Sequence, residues 1–338
     1  MVLSFGELLL RICPDGEGEW LQDNALSCYV GGAEANVATA LALWGIPSAY
    51  FTALPENMMS HQLAGYLGER GIDTSRVIYQ GSRLGLYFLP KGKDLKNAGV
   101  IYDRAHSSFW DLRAGVVDWD KVFRGVKWLH FTAISPALNA EVAAVCEEAL
   151  QAASARKITI SVDLNYRARL WQYGKAPVDV MPGLAQYCDI VMGNLWAAEK
   201  MLGIPVDASI SEDSTKEVYL AHAEKTSLEV MRRFPRAKIV ANTFRFDQDG
   251  AGIQYYTALY AGGKLYQSRE YRAEKIVDKV GSGDCFMAGL IYGQYSGKGF
   301  QDTLEFATAA AFQKLFIAND ATNQRVGEIE AAMRSVVG

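Results

Sequence analysis

Gly281-Ser282-Gly283-Asp284 combines residue types and spacing that can do chemistry. Two glycines bracket a serine, an aspartate follows, and Phe286, Met287, Leu290 and Ile291 then recur like the buried face of a helix. The pattern predicts a glycine turn feeding a helix N-terminus, where unpaired backbone N–H groups and the positive end of the helix dipole can hold an anion such as a phosphate. Asp284 then has two readings. It caps the helix, a frequent task for aspartate, or it accepts the proton of a hydroxyl that attacks phosphorus.

A second glycine pair, Gly31-Gly32, opens a segment in which Val37, Leu41 and Trp44 fall at helical spacing, with Gly45 and Pro47 as the stop signal. Gly31 and Gly32 would let a ligand touch backbone directly, and Asn36 would lie one turn in; the plainer alternative is an alanine-rich helix packed closely on a neighbour. Around these segments, strands alternate with helices: Val2–Leu10, Ala49–Ala53, Trp128–Thr132, Ile158–Val162, Asp189–Met192 and Lys238–Ala241 read as strands, and the intervening stretches as helices. Such alternation predicts an α/β fold with a doubly wound, mostly parallel sheet. Glu19–Leu21, Leu26–Val30, Leu84–Leu89 and Gly99–Tyr102 stand apart as a small projecting sheet. Residues 1–338 therefore read as a single domain with strands of that sheet inserted at about 12–30 and 84–110. Ligands of such sheets bind at the carboxyl ends of the strands, and the residues placed there are polar: Asp163 to Arg169 after one strand, Gly193-Asn194 after the next, Asn242-Thr243 after the last.

Of the 338 residues, 50% are hydrophobic and 21% charged, and the net charge of −4 supplies no field to attract nucleic acid or an anionic membrane. No leader-like N-terminus or membrane-length apolar run is evident, so a cytoplasmic location is expected. The five cysteines are scattered and never form C-x-x-C, which argues against a disulfide framework or a zinc site. A P-loop, a dinucleotide G-x-G-x-x-G in a first βαβ unit, H-E-x-x-H and G-x-S-x-G are all missing, so the corresponding nucleotide-binding, metalloprotease and serine-hydrolase readings fall away.

Gly31-Gly32-Ala33-Glu34-Ala35-Asn36-Val37-Ala38 and Asp278-Lys279-Val280-Gly281-Ser282-Gly283-Asp284-Cys285-Phe286 together resemble the two signatures of the PfkB/ribokinase family of sugar kinases, in the family's order and across nearly the whole chain. The resemblance implies a ribokinase-like fold of Rossmann-type three layers, with the projecting sheet as a lid over the sugar. It makes Asp284 the catalytic base and the N–H groups of Gly281, Ser282, Gly283 and Asp284 an anion hole. It also implies ATP over the C-terminal half, with Mg²⁺ bridging its phosphates and Asn194, Thr243, Arg245 and Asn319 nearby.

Gly85-Leu86-Tyr87-Phe88, Ile101 to Ser108 and Asp163 to Trp171 are similar to segments of the family's 2-keto-3-deoxygluconate kinases, which act on the terminal hydroxyl of a sugar acid. That similarity places Tyr87, Tyr102, Arg104, Asn165 and Arg167 at the substrate, beside Gly31, Gly32 and Asn36. Two arginines suit a carboxylate, which a neutral hexose lacks. A fructokinase- or ribokinase-like enzyme, or a catalytically idle sugar-binding regulator, are the alternatives.

Three positions depart from the family pattern. Ala197 stands where an acid usually follows Asn194, leaving Glu199 as the nearest candidate for the metal; Asn242-Thr243-Phe244-Arg245 replaces a glycine-rich segment; and Lys279 replaces a threonine. Lid strands with exposed edges suggest a homo-oligomer.

Overall fold

Apolar runs form the strands of this chain, and alanine- and leucine-rich stretches form its helices. A computed structural model describes residues 1–14, 20, 25–90, 99–211, 214–248 and 252–335. The chain opens with β1 (Val2–Phe5), leaves the body in β2 (Leu9–Pro14) and β3 (Leu26–Gly31), and returns through α1 (Ala33–Leu43). β4 (Ser48–Phe51), β5 (Ala53–Leu54), α2 (Met58–Gly68), β6 (Ile72–Asp73) and β7 (Ile78–Tyr79) follow, and β8 (Leu86–Phe88) and β9 (Ile101–Asp103) leave the body again. After α3 (Trp119–Val122) come β10 (Trp128–Thr132), α4 (Ala140–Ala155), β11 (Thr159–Asp163), α5 (Pro177–Ala185), β12 (Ile190–Gly193), α6 (Leu195–Leu202), α7 (Lys216–Arg233) and β13 (Ile239–Asp247). The antiparallel strands β14 (Ile253–Ala261), β15 (Lys264–Gln267) and β16 (Tyr271–Ala273) precede α8 (Ser282–Tyr295), α9 (Phe300–Lys314) and α10 (Val326–Ser335).

The main sheet has the order β15-β14-β13-β12-β11-β10-β1-β4-β6, parallel from β13 to β6. Strand order runs outward from β1 in both directions, so the crevice for a ligand opens at the carboxyl ends of β1 and β10. Alternate residues enter opposite cores, as a sheet covered on both faces requires. Val2, Trp128, Ile190 and Ile239 meet α1, α8 and α9, whereas Leu3, Leu129, Val191 and Val240 meet α4, α5 and α6. The glycine faces of α8 allow a very close crossing with α9: a Cβ on Gly289 would lie 2.4 Å from Ala307 Cα. α8 is thereby seated with little freedom, which matters for the turn at its start. No helix among the described residues is long and apolar enough to cross a membrane.

The projecting sheet has the order β3-β2-β8-β9 and stands over the same crevice. The doubly wound sheet and its separate small sheet are as expected. The expected strand at Glu19–Leu21 and the turn Gln22–Asn24 lie outside the described residues, Trp20 excepted.

The stretch Val2–Leu10 divides at Gly6-Glu7 into β1 of the main sheet and the start of β2 in the small one, and the strand expected at Lys238–Ala241 ends six residues later than expected. β13 runs to Asp247, so Asn242, Thr243 and Arg245 lie within a strand and not in a loop beyond it. The cause is non-local: β14 pairs antiparallel with all of β13, from Ile239↔Ala261 to Asp247↔Ile253, and satisfies backbone groups past the point where the parallel neighbour β12 stops at Gly193↔Asn242. Beyond β14 the edge of the sheet is split into β15 and β16 around Ser268, whose Oγ accepts the Thr257 N–H at 2.9 Å.

Candidate active site

Gly281 is the residue before α8, with φ of 79°, in the left-handed region open to glycine. A Cβ there would fall 1.8 Å from the carbonyl oxygen of Asp320, so the close approach of the loop after α9 demands glycine as well. No side chain caps the helix, and its first bond is Cys285 N–H to Gly281 O at 2.9 Å. The N–H groups of Ser282, Gly283 and Asp284 belong to the first turn, which has no intrahelical acceptors for them. Such an uncapped end is chemically suited to an anion.

Because α8 starts at Ser282, Asp284 is its third residue and not its N-cap. Its carboxylate turns to α1 instead, where Asn36 Nδ2–H donates to Oδ2 at 2.7 Å. Asp284 is buried, and burial is the main cause that lifts its pKa to about 7; Asn36 pulls it down, Asp163 and Glu34 push it further up, and Arg167 offsets part of that. A carboxylate with that pKa is suited to take up and release a proton at neutral pH.

Asn36 is aimed by the turn Gly31-Gly32. Gly32 has φ of 130°, and a Cβ on it would lie 2.6 Å from the carbonyl oxygen of Glu7, so the chain enters α1 against the end of β1. Beneath it Glu34 is buried, with Oε1 accepting from Thr132 N–H at 2.9 Å and Thr132 Oγ1–H at 2.7 Å, and burial raises its pKa to about 7. Glu34 and Glu7 are carboxylates of this centre to which sequence reasoning gave no role, whereas Asp163 was already among the polar residues expected at the strand ends. Glu34 sits inside the quoted first motif, and its place among alanines that pack on a neighbour was the available signal.

The residues expected at the sugar divide into two groups. Asn165 and Arg167 follow β11 into the crevice. Asn165 has φ of 22°, held by its N–H donating to Asp163 Oδ1 at 2.9 Å, the kind of strained turn often kept at functional sites. Arg167 donates to the Tyr166 carbonyl at 3.0 Å and makes no ion pair among the described residues, yet lies close enough to Asp284 to act on its charge. Arg169 donates to Val100 O at 2.8 Å and so ties this segment to the chain entering β9.

Arg104 and Tyr87, also expected at the substrate, each hold a buried partner within the protein. Arg104 is buried and its Nε donates to Glu7 Oε2 at 2.5 Å, so its charge is already neutralised. Tyr87 donates its hydroxyl to Asp320 Oδ2 at 2.6 Å in a buried contact. Tyr102, opposite Tyr87 in the β8–β9 ladder, is half-buried, and Gly31 packs under Tyr87 at the end of β3.

On the proposed nucleotide side, Asn194 Oδ1 accepts the Ala197 N–H at 2.7 Å and so caps α6. Thr243 and Arg245 share the face of β13 that carries Ala241 toward α8, and Arg245 and Cys285 both act on the charge of the buried Tyr255, which places that arginine near the start of α8. Asn319 is exposed beside Asp320. Glu199 lies five residues beyond Asn194 in the middle of α6. It accepts the Val206 N–H at 3.3 Å and pairs with Lys200 at 3.6 Å. No group of three or more His, Cys, Asp or Glu could hold a metal ion among the described residues.

Comparisons with known proteins give the family and the fold. The family description "pfkB family carbohydrate kinase" matches residues 1–318. The solved structure of 2-dehydro-3-deoxygluconokinase from Thermotoga maritima is similar with a TM-score of 0.89 at 34% identity, over 98% of this chain and 99% of that one. A putative Ribokinase II from E. coli, solved in complex with ATP and Mg²⁺, shares the fold with a TM-score of 0.76 at 18% identity, over 99% of each chain. The 2-dehydro-3-deoxygalactonokinase of Haloferax volcanii is 25% identical over 334 residues, 98% of this chain and 96% of its own length.

Proposed function

The chain belongs to the pfkB family of carbohydrate kinases, and from that premise we propose that this sugar kinase phosphorylates the C6 hydroxyl of 2-keto-3-deoxygluconate, with ATP as donor. The observation that carries the reading is the buried Asp284 carboxylate, held by Asn36 at 2.7 Å beside an uncapped helix N-terminus.

The terminal hydroxyl of the sugar acid lies against Asp284 and passes its proton to that carboxylate as it attacks. Asn36 keeps the carboxylate oriented, and burial gives it the affinity to hold the proton. The N–H groups of Ser282, Gly283 and Asp284, with the dipole of α8, stabilise the negative charge of the transferred group. When bound, Mg²⁺ neutralises charge on the donor phosphates. Arg245 and Thr243 flank the phosphates from β13.

Arg167 is the cation placed to bind the substrate carboxylate, since Arg104 is taken by Glu7 and shapes the pocket wall. Replacing Arg167 by Leu is expected to raise KM for the keto acid by roughly 10- to 100-fold, the value of one charge-assisted contact. Any neutral sugar that the enzyme accepts would change by less than about threefold. Equal losses for both substrates would remove the carboxylate from the argument. The decisive assay is ADP release over 2-keto-3-deoxygluconate, its C4 epimer, fructose and ribose. Turnover of a neutral sugar well above both keto acids would replace the reading.

The lid supports a second element of the proposal, a homo-oligomer formed through it. Arg11 and Tyr87 point inward, while Leu26 (42% exposed) and Ile101 (54% exposed) lie on the opposite face with Phe88 between them, next to Ile12 and Leu86, which pack partly on the core. An apolar sheet face of this kind fits a second copy of itself. Sedimentation velocity is expected to show a dimer or larger species, shifted toward monomer by Leu26→Asp with Ile101→Asp. A wild-type protein that sediments only as monomer would reject it.

A further inference from the structure

We propose that Arg11 is a positioning residue for phosphoryl transfer, acting through Asp278 and Asp320 to set the turn at Gly281 according to the position of the lid. Arg11 lies on lid strand β2 and is fully buried, as are both of its carboxylate partners. Its Nη2 donates to Asp278 Oδ2 at 2.9 Å, and its Nε faces Asp320 Oδ1 at 3.1 Å. Each carboxylate has a second attachment on the side of the turn. Asp278 Oδ1 accepts the Val280 N–H at 3.1 Å, one residue before Gly281. Asp320 presents its carbonyl oxygen against Gly281 so closely that a Cβ could not be added there.

A second lid strand joins the same centre. Tyr87 on β8 donates to Asp320 Oδ2 at 2.6 Å, and Gly31, at the end of β3, packs tightly against both, since a Cβ on it would lie 3.2 Å from Tyr87 Cε1 and from Asp320 Oδ2. Lys314 completes the charge balance from below. Its ammonium donates to Ile317 O at 3.1 Å, and its Cε would be 3.3 Å from a Cβ on Gly281. Two cations and two carboxylates thus sit where Leu9, Leu89, Val100 and Val280 provide apolar surroundings. Burying such a network is costly compared with apolar packing, so a seam serving only to glue the lid would be simpler in leucine and valine. The ionic form has a different property: neither β2 nor β8 can shift against the body without pulling a carboxylate that also holds the turn. Lid position and anion-hole geometry become one variable, and the turn is set for transfer when the lid sits over the sugar. The inference rests on the reading of Gly281 to Asp284 as the anion hole.

The test compares kcat and KM in Tyr87→Phe, Arg11→Lys and Arg11→Met, using whichever acceptor the wild-type protein turns over. Failure of the keto-acid reading would appear in the wild type alone and leave this comparison intact. Tyr87→Phe removes one hydroxyl, is expected to fold normally, and should lower kcat about fivefold with KM for the sugar changed less than about twofold. Arg11→Met should lower kcat by about 100-fold or more, and Arg11→Lys, which restores the charge but not the fork, should recover part of it. Three results would overturn the inference: a raised sugar KM at unchanged kcat in Tyr87→Phe, which would put that hydroxyl on the substrate; wild-type kcat in Arg11→Met; or an Arg11→Met loss matching its loss of folded protein while Tyr87→Phe behaves as wild type.

Discussion

Asp284→Asn is expected to lower kcat by roughly a thousandfold, the range of general-base catalysis, with KM for the sugar changed less than about threefold. The amide keeps the shape of the carboxylate and can still accept the Asn36 N–H, but it cannot take a proton. Retained turnover would end the role assigned to Asp284. Wild-type kcat/KM should fall about tenfold per pH unit below about 7 and level off above it, because the free enzyme must present the carboxylate ionised and burial holds its pKa at about 7.

The same substitution carries a stability signature of opposite sign. The folded state keeps the Asp284 proton up to about pH 7, whereas the unfolded chain releases it near the ordinary aspartate value of 3.8. The folded form therefore binds more protons between those limits, and this group's contribution to stability declines as pH rises from about 4 to about 7. Above that window the buried charge is a standing cost of about 2–4 kcal/mol, which the amide removes. Asp284→Asn should thus melt roughly 3–6 °C higher than wild type at pH 8 and nearly together with it at pH 4. A protein less active yet more stable is the expected trade-off at a catalytic position.

Gly281→Ala should damage both properties at once. Its φ of 79° disfavours a side chain, and the new Cβ would stand 1.8 Å from the Asp320 carbonyl oxygen, a backbone atom that cannot simply rotate away. The two effects together suggest a loss of about 2–4 kcal/mol. The displaced turn no longer aims its N–H groups, and kcat should drop about 100-fold or more. Gly283→Ala provides the contrast, since its Cβ meets only Met192 Cε at 3.9 Å and alanine favours helix. It should fold at least as well as wild type, so any lost turnover there reports on space needed by the phosphoryl group. Wild-type melting and turnover in Gly281→Ala would contradict the account of this turn.

The order of elements was legible because strands covered by helices on both faces read as continuous apolar runs. Both glycine turns were legible because positive φ and close backbone approach leave a mark at single positions. The far end of β13 was not, since the polar residues Asn242, Thr243 and Arg245 are held in a strand by β14, which pairs from across a turn.

The polar side chains show the same limit more sharply. Sequence by itself determined which groups were available near the crevice: an anion-binding turn, an aspartate beside it, an asparagine one turn into another helix, and a set of arginines and tyrosines. Tertiary structure decided what each one faces. Arg104 meets Glu7 across 97 positions, Tyr87 meets Asp320 across 233, Asp284 meets Asn36 across 248, and Arg11 meets Asp278 across 267. Ionic and hydrogen-bond partners are chosen by distance and burial after the chain has folded, and local spacing carries no record of either. That is why the choice between a helix cap and a carboxylate held by Asn36, and between a free arginine and a neutralised one, was made by the fold.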